Sequence, residues 1–148
     1  MRWNVRAERQ DPKMEEIILK TLSAFSNSRG GTLLIGVNDD GEVLGLDDDY
    51  KTFRGGNGDA DQFEIHLGNL TDASFGADFA ATQMDVSFPK VGDKEFCKIV
   101  VERGSEAKYV NVTSKNGQKA KTFYVRSGNS SKALSLEESV KYISDRFN

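Results

Sequence analysis

The chain has 148 residues, of which 29% are charged and 37% hydrophobic, with a net charge of −3 and one cysteine. This length favours one globular domain over residues 1–148, and recurrent Leu, Ile, Val and Phe exclude intrinsic disorder. No apolar run approaches the ~18 residues of a bilayer span, no signal peptide is recognisable, and one cysteine excludes an internal disulfide framework. We therefore expect a cytoplasmic protein without membrane association.

A helix is predicted from Asp11-Pro12 to the pair Gly30-Gly31, because Asp is a good N-cap, Pro fits the first turn and Gly accepts the C-terminal cap. Between these signals the apolar residues recur at helical spacing, which predicts one buried stripe. The stripe consists of Met14, Ile17, Ile18, Leu22 and Phe25.

The next segment is predicted to be a β-hairpin over residues 32–46. Thr32–Val37 is short and largely apolar, which is typical of a central strand buried on both faces. Asn38–Gly41 has the composition of a turn, and Glu42–Leu46 is predicted to be the returning strand. A second amphipathic helix is predicted over residues 60–75.

The second half of the chain is predicted to be mainly β-structure, with strands near residues 83–88, 95–101, 109–112 and 121–126. Ser135 and Glu138 form a capping-box pattern that opens a last helix. Its apolar residues are Leu136, Val140, Ile143 and Phe147. The element order predicts an α+β (α/β-like) fold: a mixed sheet of about six strands packed against three main helices.

The charge is unevenly distributed along the chain. Residues 1–36 have a balance of +2, residues 37–106 have six basic and sixteen acidic residues, and residues 107–148 have a balance of +5. Such asymmetry is compatible with a nucleic-acid-binding face, but charge alone favours chance clustering on a solubilising surface, because the pI of about 5.2 is far from that of a dedicated binder.

Catalytic motifs receive little support. The acidic run of residues 39–49 does not have the ligand spacing of an EF-hand, and Glu42 stands where a phosphate-binding P-loop needs Lys. His66, the only histidine, and Cys97 are interpreted as structural residues.

The most informative segment is Phe123–Lys132. It places Arg126 at a strand end, before a tight turn and a second cation, an arrangement of donors that suits phosphate oxygens. Asn129, Ser130 and Ser131 are the candidate turn donors, and the candidate cations are Arg126, Lys132, Lys108, Lys119 and Lys121. The alternative is an ordinary hairpin exit with Arg126 paired to a carboxylate.

Three stretches, residues 22–41, 43–46 and 123–131, together resemble the Schlafen-type Alba-like domain (Schlafen AlbA_2 family) of many bacterial regulators. The resemblance implies an α/β fold, frequent pairing of two copies and nucleic-acid binding. Some Schlafen members are metal-dependent ribonucleases, whose acidic site joins glutamates upstream of the first helix to an aspartate in a Gly-Val-Asp-Asp turn. Here that turn contains Asn38, the upstream segment would precede Met1, and Glu8 is the only early glutamate.

We therefore expect a non-enzymatic nucleic-acid-binding module, mostly electrostatic and weakly sequence-specific, as in a transcriptional regulator. It is expected to be a homodimer and to need no cofactor. Arg2, Arg6 and Arg9 would extend the surface as an N-terminal arm, with Trp3 as a stacking residue or a core residue. Two alternatives stay open: a Mg²⁺- or Mn²⁺-dependent nuclease with Asp39 and Asp40 as metal ligands, and a protein-interaction or oligomerisation module.

Overall fold

The computed structural model describes residues 3–4 and 9–147. Five α-helices lie in this part of the chain: α1 (Pro12–Asn27), α2 (Asp47–Tyr50), α3 (Ala60–Phe75), α4 (Asp78–Thr82) and α5 (Leu136–Arg146). A 3-10 turn covers Arg54–Gly56. The strands are β1 (Trp3–Asn4), β2 (Arg9–Gln10), β3 (Gly31–Ile35), β4 (Met84–Ser87), β5 (Lys90–Val91), β6 (Lys94–Glu95), β7 (Cys97–Val101), β8 (Tyr109–Thr113), β9 (Lys119–Ser127) and β10 (Ser130–Ala133).

The α+β class and the three main helices, α1, α3 and α5, are confirmed. The six main strands, however, do not share one mixed sheet. They form two antiparallel three-stranded sheets, one ordered β3-β7-β4 and the other β8-β9-β10. Helix α1 packs against strands of both sheets, and its last six residues are all buried. A helix enclosed in this way separates the strands that a single sheet would have joined.

The predicted hairpin over residues 32–46 is wrong. Residues 41–46 form only an isolated bridge, from Val43 to Val37, because Gly36 (φ 94°) and Gly45 (φ 87°) take the chain out of the extended conformation. Strand β3 pairs instead with the distant strand β7, with Leu33 opposite Ile99. It is an edge strand whose residues alternate between exposed and half-buried, not a central strand buried on both faces.

Helix α1 begins and ends close to the predicted positions. The Asp11 carboxylate accepts a hydrogen bond from the Lys13 amide at 3.0 Å. After the last helical turn, Gly30 has φ 80° and donates to the Phe25 carbonyl at 2.8 Å. The predicted apolar stripe is only partly buried, because Ile17 is 50% exposed.

The hydrophobic core joins α1, α3 and the β3-β7-β4 sheet around Leu22, Phe63, Leu67 and Ile99, all fully buried. Burying such side chains stabilises the fold by about 1.5–3 kcal/mol each.

Helix α5 has the predicted capping box between Ser135 and Glu138. Of its predicted apolar residues, Leu136 is 84% exposed and Val140 63% exposed, whereas Ile143 and Phe147 are half-buried. The helix turns Ser139, Tyr142 and Arg146 towards the protein instead, because these residues make hydrogen bonds to it. The capping box and the periodicity therefore predicted the helix, and its orientation follows from these tertiary contacts.

Candidate functional site

Arg126 lies near the end of β9 and is held from three directions. Its backbone N–H donates to the Ser28 hydroxyl at 2.8 Å, and its Nη1 donates to the Ser131 hydroxyl at 2.9 Å. Its guanidinium lies 5.0 Å from the centre of the Phe25 ring. Hydrogen bonding and stacking on an aromatic face orient an arginine without neutralising its charge. The alternative pairing of Arg126 with a carboxylate is not seen among the described residues.

The turn after Arg126 is a two-residue hairpin loop between β9 and β10. Gly128 has φ 60° at the first loop position, as in type II′ turns, where glycine is favoured. The Ser130 hydroxyl donates to the Ser127 carbonyl at 3.2 Å, and Ser131 accepts from Arg126. Two of the predicted turn donors thus make hydrogen bonds within the hairpin, while Asn129 is exposed at its tip.

Beside this hairpin lies a cleft of about 660 Å³ that we call the arginine cleft. Four arginines line it: Arg29, Arg103, Arg126 and Arg146. No carboxylate is among its lining residues, and no ion pair within 4 Å joins any of the four to another described residue. Four cations that have no counter-ion among the described residues and share one concavity form a strongly electropositive site.

Arg146 is held in the cleft by backbone carbonyls of Gly104 and of the C-terminal end of α1. Its Nη2 reaches the carbonyl oxygens of Gly104 at 2.8 Å, Ser28 at 3.2 Å and Ser26 at 3.4 Å. Helix C-termini favour cations because their last carbonyls lack helical partners. Burial and the neighbouring charge of Arg103 lower the pKa of Arg146, so the cleft crowds like charges.

Arg29 and Arg103 differ from the other two because their side chains are uncommitted. Both are exposed, and neither has a hydrogen bond or ion pair within the described ranges. Arg29 follows the end of α1, and Arg103 follows the end of β7. The cleft thus combines two oriented cations with two that are exposed and have no partner in the described part of the chain.

The fully buried side chain of Asn27 holds the walls of the cleft together. Its amide nitrogen donates to the carbonyls of Lys108 at 2.9 Å and Tyr124 at 2.8 Å, and its oxygen accepts from the Lys108 amide at 2.8 Å. Its own carbonyl accepts from the Tyr142 hydroxyl at 2.7 Å. One residue therefore links α1 to β9, to the start of β8 and to α5.

The family is identified by its model, described as Schlafen, AlbA_2, which matches residues 2–135. The chain belongs to the Schlafen AlbA_2 family. This membership associates it with nucleic acids. The fold is similar to that of the DIP2311 protein from Corynebacterium diphtheriae, with a TM-score of 0.58 and 16% identity. The match covers 94% of this chain and 23% of that one, and no curated protein matches the sequence.

Lys108 is not brought to the cleft of this AlbA_2 domain. It is buried, and its ammonium donates to the Phe75 carbonyl at 3.3 Å. It lines a second pocket of about 180 Å³ together with the carboxylates of Asp78 and Glu106. The assignment of Lys108 to the phosphate-binding surface is therefore corrected, because its charge is directed into the protein.

The other predicted lysines lie around the cleft rather than in it. Lys119 and Lys121 are seven and five residues before Arg126 on β9, roughly 23 and 16 Å away at ~3.3 Å per residue. The Lys121 ammonium lies 5.9 Å from the Tyr109 ring. Lys132 lies opposite Val125 in the β9-β10 pair; Val125 lines the cleft, whereas Lys132 is exposed and does not line it. The charge of Lys132 adds to the hydrogen bonds with Ser135 that lower the pKa of Glu138.

The N-terminal arm cannot be placed: Arg2 and Arg6 lie outside the described residues, as do the side chains of Trp3 and Arg9.

Asp39 and Asp40 are exposed in a turn. Within the described ranges no three His, Cys, Asp or Glu residues are grouped to hold a metal ion. Glu8 lies outside the described residues, so Asp39 and Asp40 as metal ligands stay a prediction. None of the described helices has the length and apolar character of a bilayer span.

Three cleft residues, Arg29, Arg103 and Arg146, were missed by the sequence reasoning. Each lies at or just after the end of an element. Arg29 falls inside the stretch that carries the family resemblance, so its position offered a signal. Arg103 comes from the acidic middle of the chain and Arg146 from the last turn of a helix, and only the tertiary fold brings them to Arg126.

Proposed function

We propose that this AlbA_2 domain binds nucleic acid through the arginine cleft, by mostly electrostatic and weakly sequence-specific contacts with phosphates. The observation that carries the proposal is the convergence of four arginines on one concavity without a carboxylate in its lining. Guanidinium groups bind phosphate oxygens in bidentate geometry, and such contacts position a nucleic acid without reading its bases.

The contacts within the cleft suggest different roles for the oriented and the exposed arginines. Arg126 and Arg146 are oriented by hydrogen bonds to Ser131 and to carbonyls after α1, so little freedom is lost when they meet a phosphate. Arg29 and Arg103 are exposed and would attract the strand before it docks. Lys132 and the N-terminal arginines would add peripheral phosphate contacts.

The direct test is a salt series of fluorescence anisotropy with labelled single-stranded DNA, duplex DNA and RNA. For duplex DNA, log K should fall with log salt at a slope of about −0.9 per phosphate contacted. Arg103→Gln and Arg29→Gln should each weaken binding to all sequences alike and reduce the slope by about 0.9. Lys51→Gln, an exposed residue that follows α2, is the matched control and should leave binding unchanged.

Two results would overturn the proposal. One is the absence of salt-dependent binding by the folded protein, as the protein-interaction alternative predicts. The other is binding whose slope and affinity are the same in both arginine variants as in the wild type, which would place the site elsewhere.

The proposal includes a homodimer, since two copies of the cleft on one nucleic acid would double the number of phosphates neutralised. Light scattering of the free protein measures the mass directly. When the protein is titrated into a short duplex, a dimer should also saturate it at two chains per duplex. A monomeric mass at all concentrations used for binding would remove this part of the proposal and leave the cleft assignment intact.

A further inference from the structure

The shape of the arginine cleft distinguishes it from a flat basic surface. Its volume of about 660 Å³ lies within the range of pockets that enclose small ligands. The side chains around it come from four separate parts of the chain: the end of α1, the end of β7, the β9-β10 hairpin and α5. A recess bounded on several sides accommodates the end of a strand more readily than its middle, which must enter and leave.

The charge of the cleft also exceeds what a single internal phosphate offers. An internal phosphodiester carries one negative charge and two unsubstituted oxygens. A terminal phosphate monoester carries about −1.5 to −2 and three strong acceptor oxygens. Four guanidinium groups around one recess match the second group better, because each added oxygen and charge gives a partner to another arginine.

The cleft is also open where the end of a strand would enter. Gly128 lies on its rim, and a side chain added there would meet no atom within 4 Å. The two uncommitted arginines, Arg29 and Arg103, are exposed, whereas Arg126 and Arg146 are half-buried. Burial and the charge of Arg103 already lower the pKa of Arg146, a strain that a bound dianion would relieve.

We infer that the arginine cleft receives a terminal phosphate monoester of a nucleic-acid strand, so that the domain binds phosphorylated strand ends in preference to strand interiors. This inference rests on the proposed function, since it names the part of the nucleic acid that the same cleft binds. Internal phosphates would then contact the same arginines more weakly, together with peripheral cations such as Lys132.

The test compares four versions of one short single strand, each labelled on an internal base. They carry hydroxyls at both ends, a 5′-phosphate, a 3′-phosphate, or no end because the strand is circular. At fixed salt, a phosphate at one end should tighten binding about tenfold, the ~1.4 kcal/mol expected from one further charge-assisted contact. The hydroxyl-ended and circular strands should bind equally and more weakly.

Two variants connect the preference to the cleft. Arg103→Gln should abolish the difference in affinity between strands with phosphorylated ends and strands with hydroxyl ends. Arg103 is exposed, so the variant should fold, and a circular dichroism spectrum equal to that of the wild type checks this. Lys132→Gln, outside the cleft, should weaken all four strands by one common factor and keep their ratio. A preference that survives Arg103→Gln would overturn the inference.

The remaining outcomes separate this inference from the proposed function. Equal affinity for all four strands would overturn the inference and leave phosphate-backbone binding in place. Competition by a free nucleoside monophosphate or inorganic phosphate, at the concentration at which the phosphorylated strand competes, would overturn it in favour of a free-anion site. Failure of every strand to bind would overturn the proposed function itself.

Discussion

Replacing Asn27 by alanine should be among the most damaging single changes in this protein. Asn27 is fully buried and makes three side-chain hydrogen bonds, all to backbone groups of residues 108 and 124. Asn27→Ala leaves those three groups without partners in a site closed to water. An unsatisfied buried polar group costs about 1–3 kcal/mol, so three of them cost at least ~3 kcal/mol; because single changes rarely exceed ~5 kcal/mol, we expect a total loss of about 3–5 kcal/mol.

That loss is a large share of the ~5–15 kcal/mol that stabilises a typical domain. For a chain of this size it corresponds to a fall in Tm of roughly 6–20 °C, at ~2–4 °C per kcal/mol. The assay is urea unfolding followed by circular dichroism, with thermal melts as a second measure. Asn69→Ala, at an exposed position in α3, is the matched control and should change stability by less than ~0.5 kcal/mol.

The reasoning is refuted if Asn27→Ala loses less than ~1 kcal/mol while the slope of the unfolding curve is unchanged. The three hydrogen bonds would then contribute little, and the account of how α1 holds β9, the start of β8 and α5 around the cleft would need replacement.

Three further predictions concern other parts of the fold. Gly30→Ala should lower the free energy of unfolding in urea by more than ~2 kcal/mol, because Gly30 has φ 80° and the new Cβ would lie 2.6 Å from a carbonyl oxygen of β7. Gly41→Ala is the control: Gly41 has φ 81° but open space around it, so this change should cost only the ~1–2 kcal/mol of the backbone conformation. Burial raises the pKa of the Cys97 thiol to about 12, so a colorimetric thiol reagent at pH 8 should react only after denaturant is added; rapid reaction of the native protein would contradict this. Hydrogen bonds from the N-cap residue lower the pKa of Glu138, so its contribution to stability is present above the ordinary carboxyl pKa and lost as pH falls through the lowered value; the stability difference between wild type and Glu138→Gln should disappear in acid, and a difference independent of pH would refute it.

The sequence predicted the elements better than their partners. Capping residues and periodicity are local signals, and the starts of α1 and α5 and the extent of α3 follow them closely. The partner of β3 could not be predicted, because β7 is more than sixty residues away in the chain. The turn signals of Asn38–Gly41 favoured the nearby residues 42–46 instead. Periodicity identified the apolar residues of α5 but carries no information on whether a partner covers them, and Leu136 and Val140 are exposed.

The candidate site shows the same division. Local composition singled out Arg126 and its turn, and the structure places both at the arginine cleft. Lys108 was chosen for its charge, but a lysine with a long apolar stem can be buried as its neighbours pack around it. The cations that meet Arg126 in the cleft are instead Arg29, Arg103 and Arg146, which the sequence did not mark as a set, while the predicted lysines lie outside it.

The most direct measurement of the central claim is an NMR titration that follows the arginine side-chain Nε–Hε signals as a short oligonucleotide is added. The account predicts that the signals of Arg29, Arg103, Arg126 and Arg146 shift together and saturate with one affinity, while that of Arg54, which is exposed and does not line the cleft, stays in place. Shifts confined to residues outside the cleft, with these four signals unmoved at saturation, would contradict it.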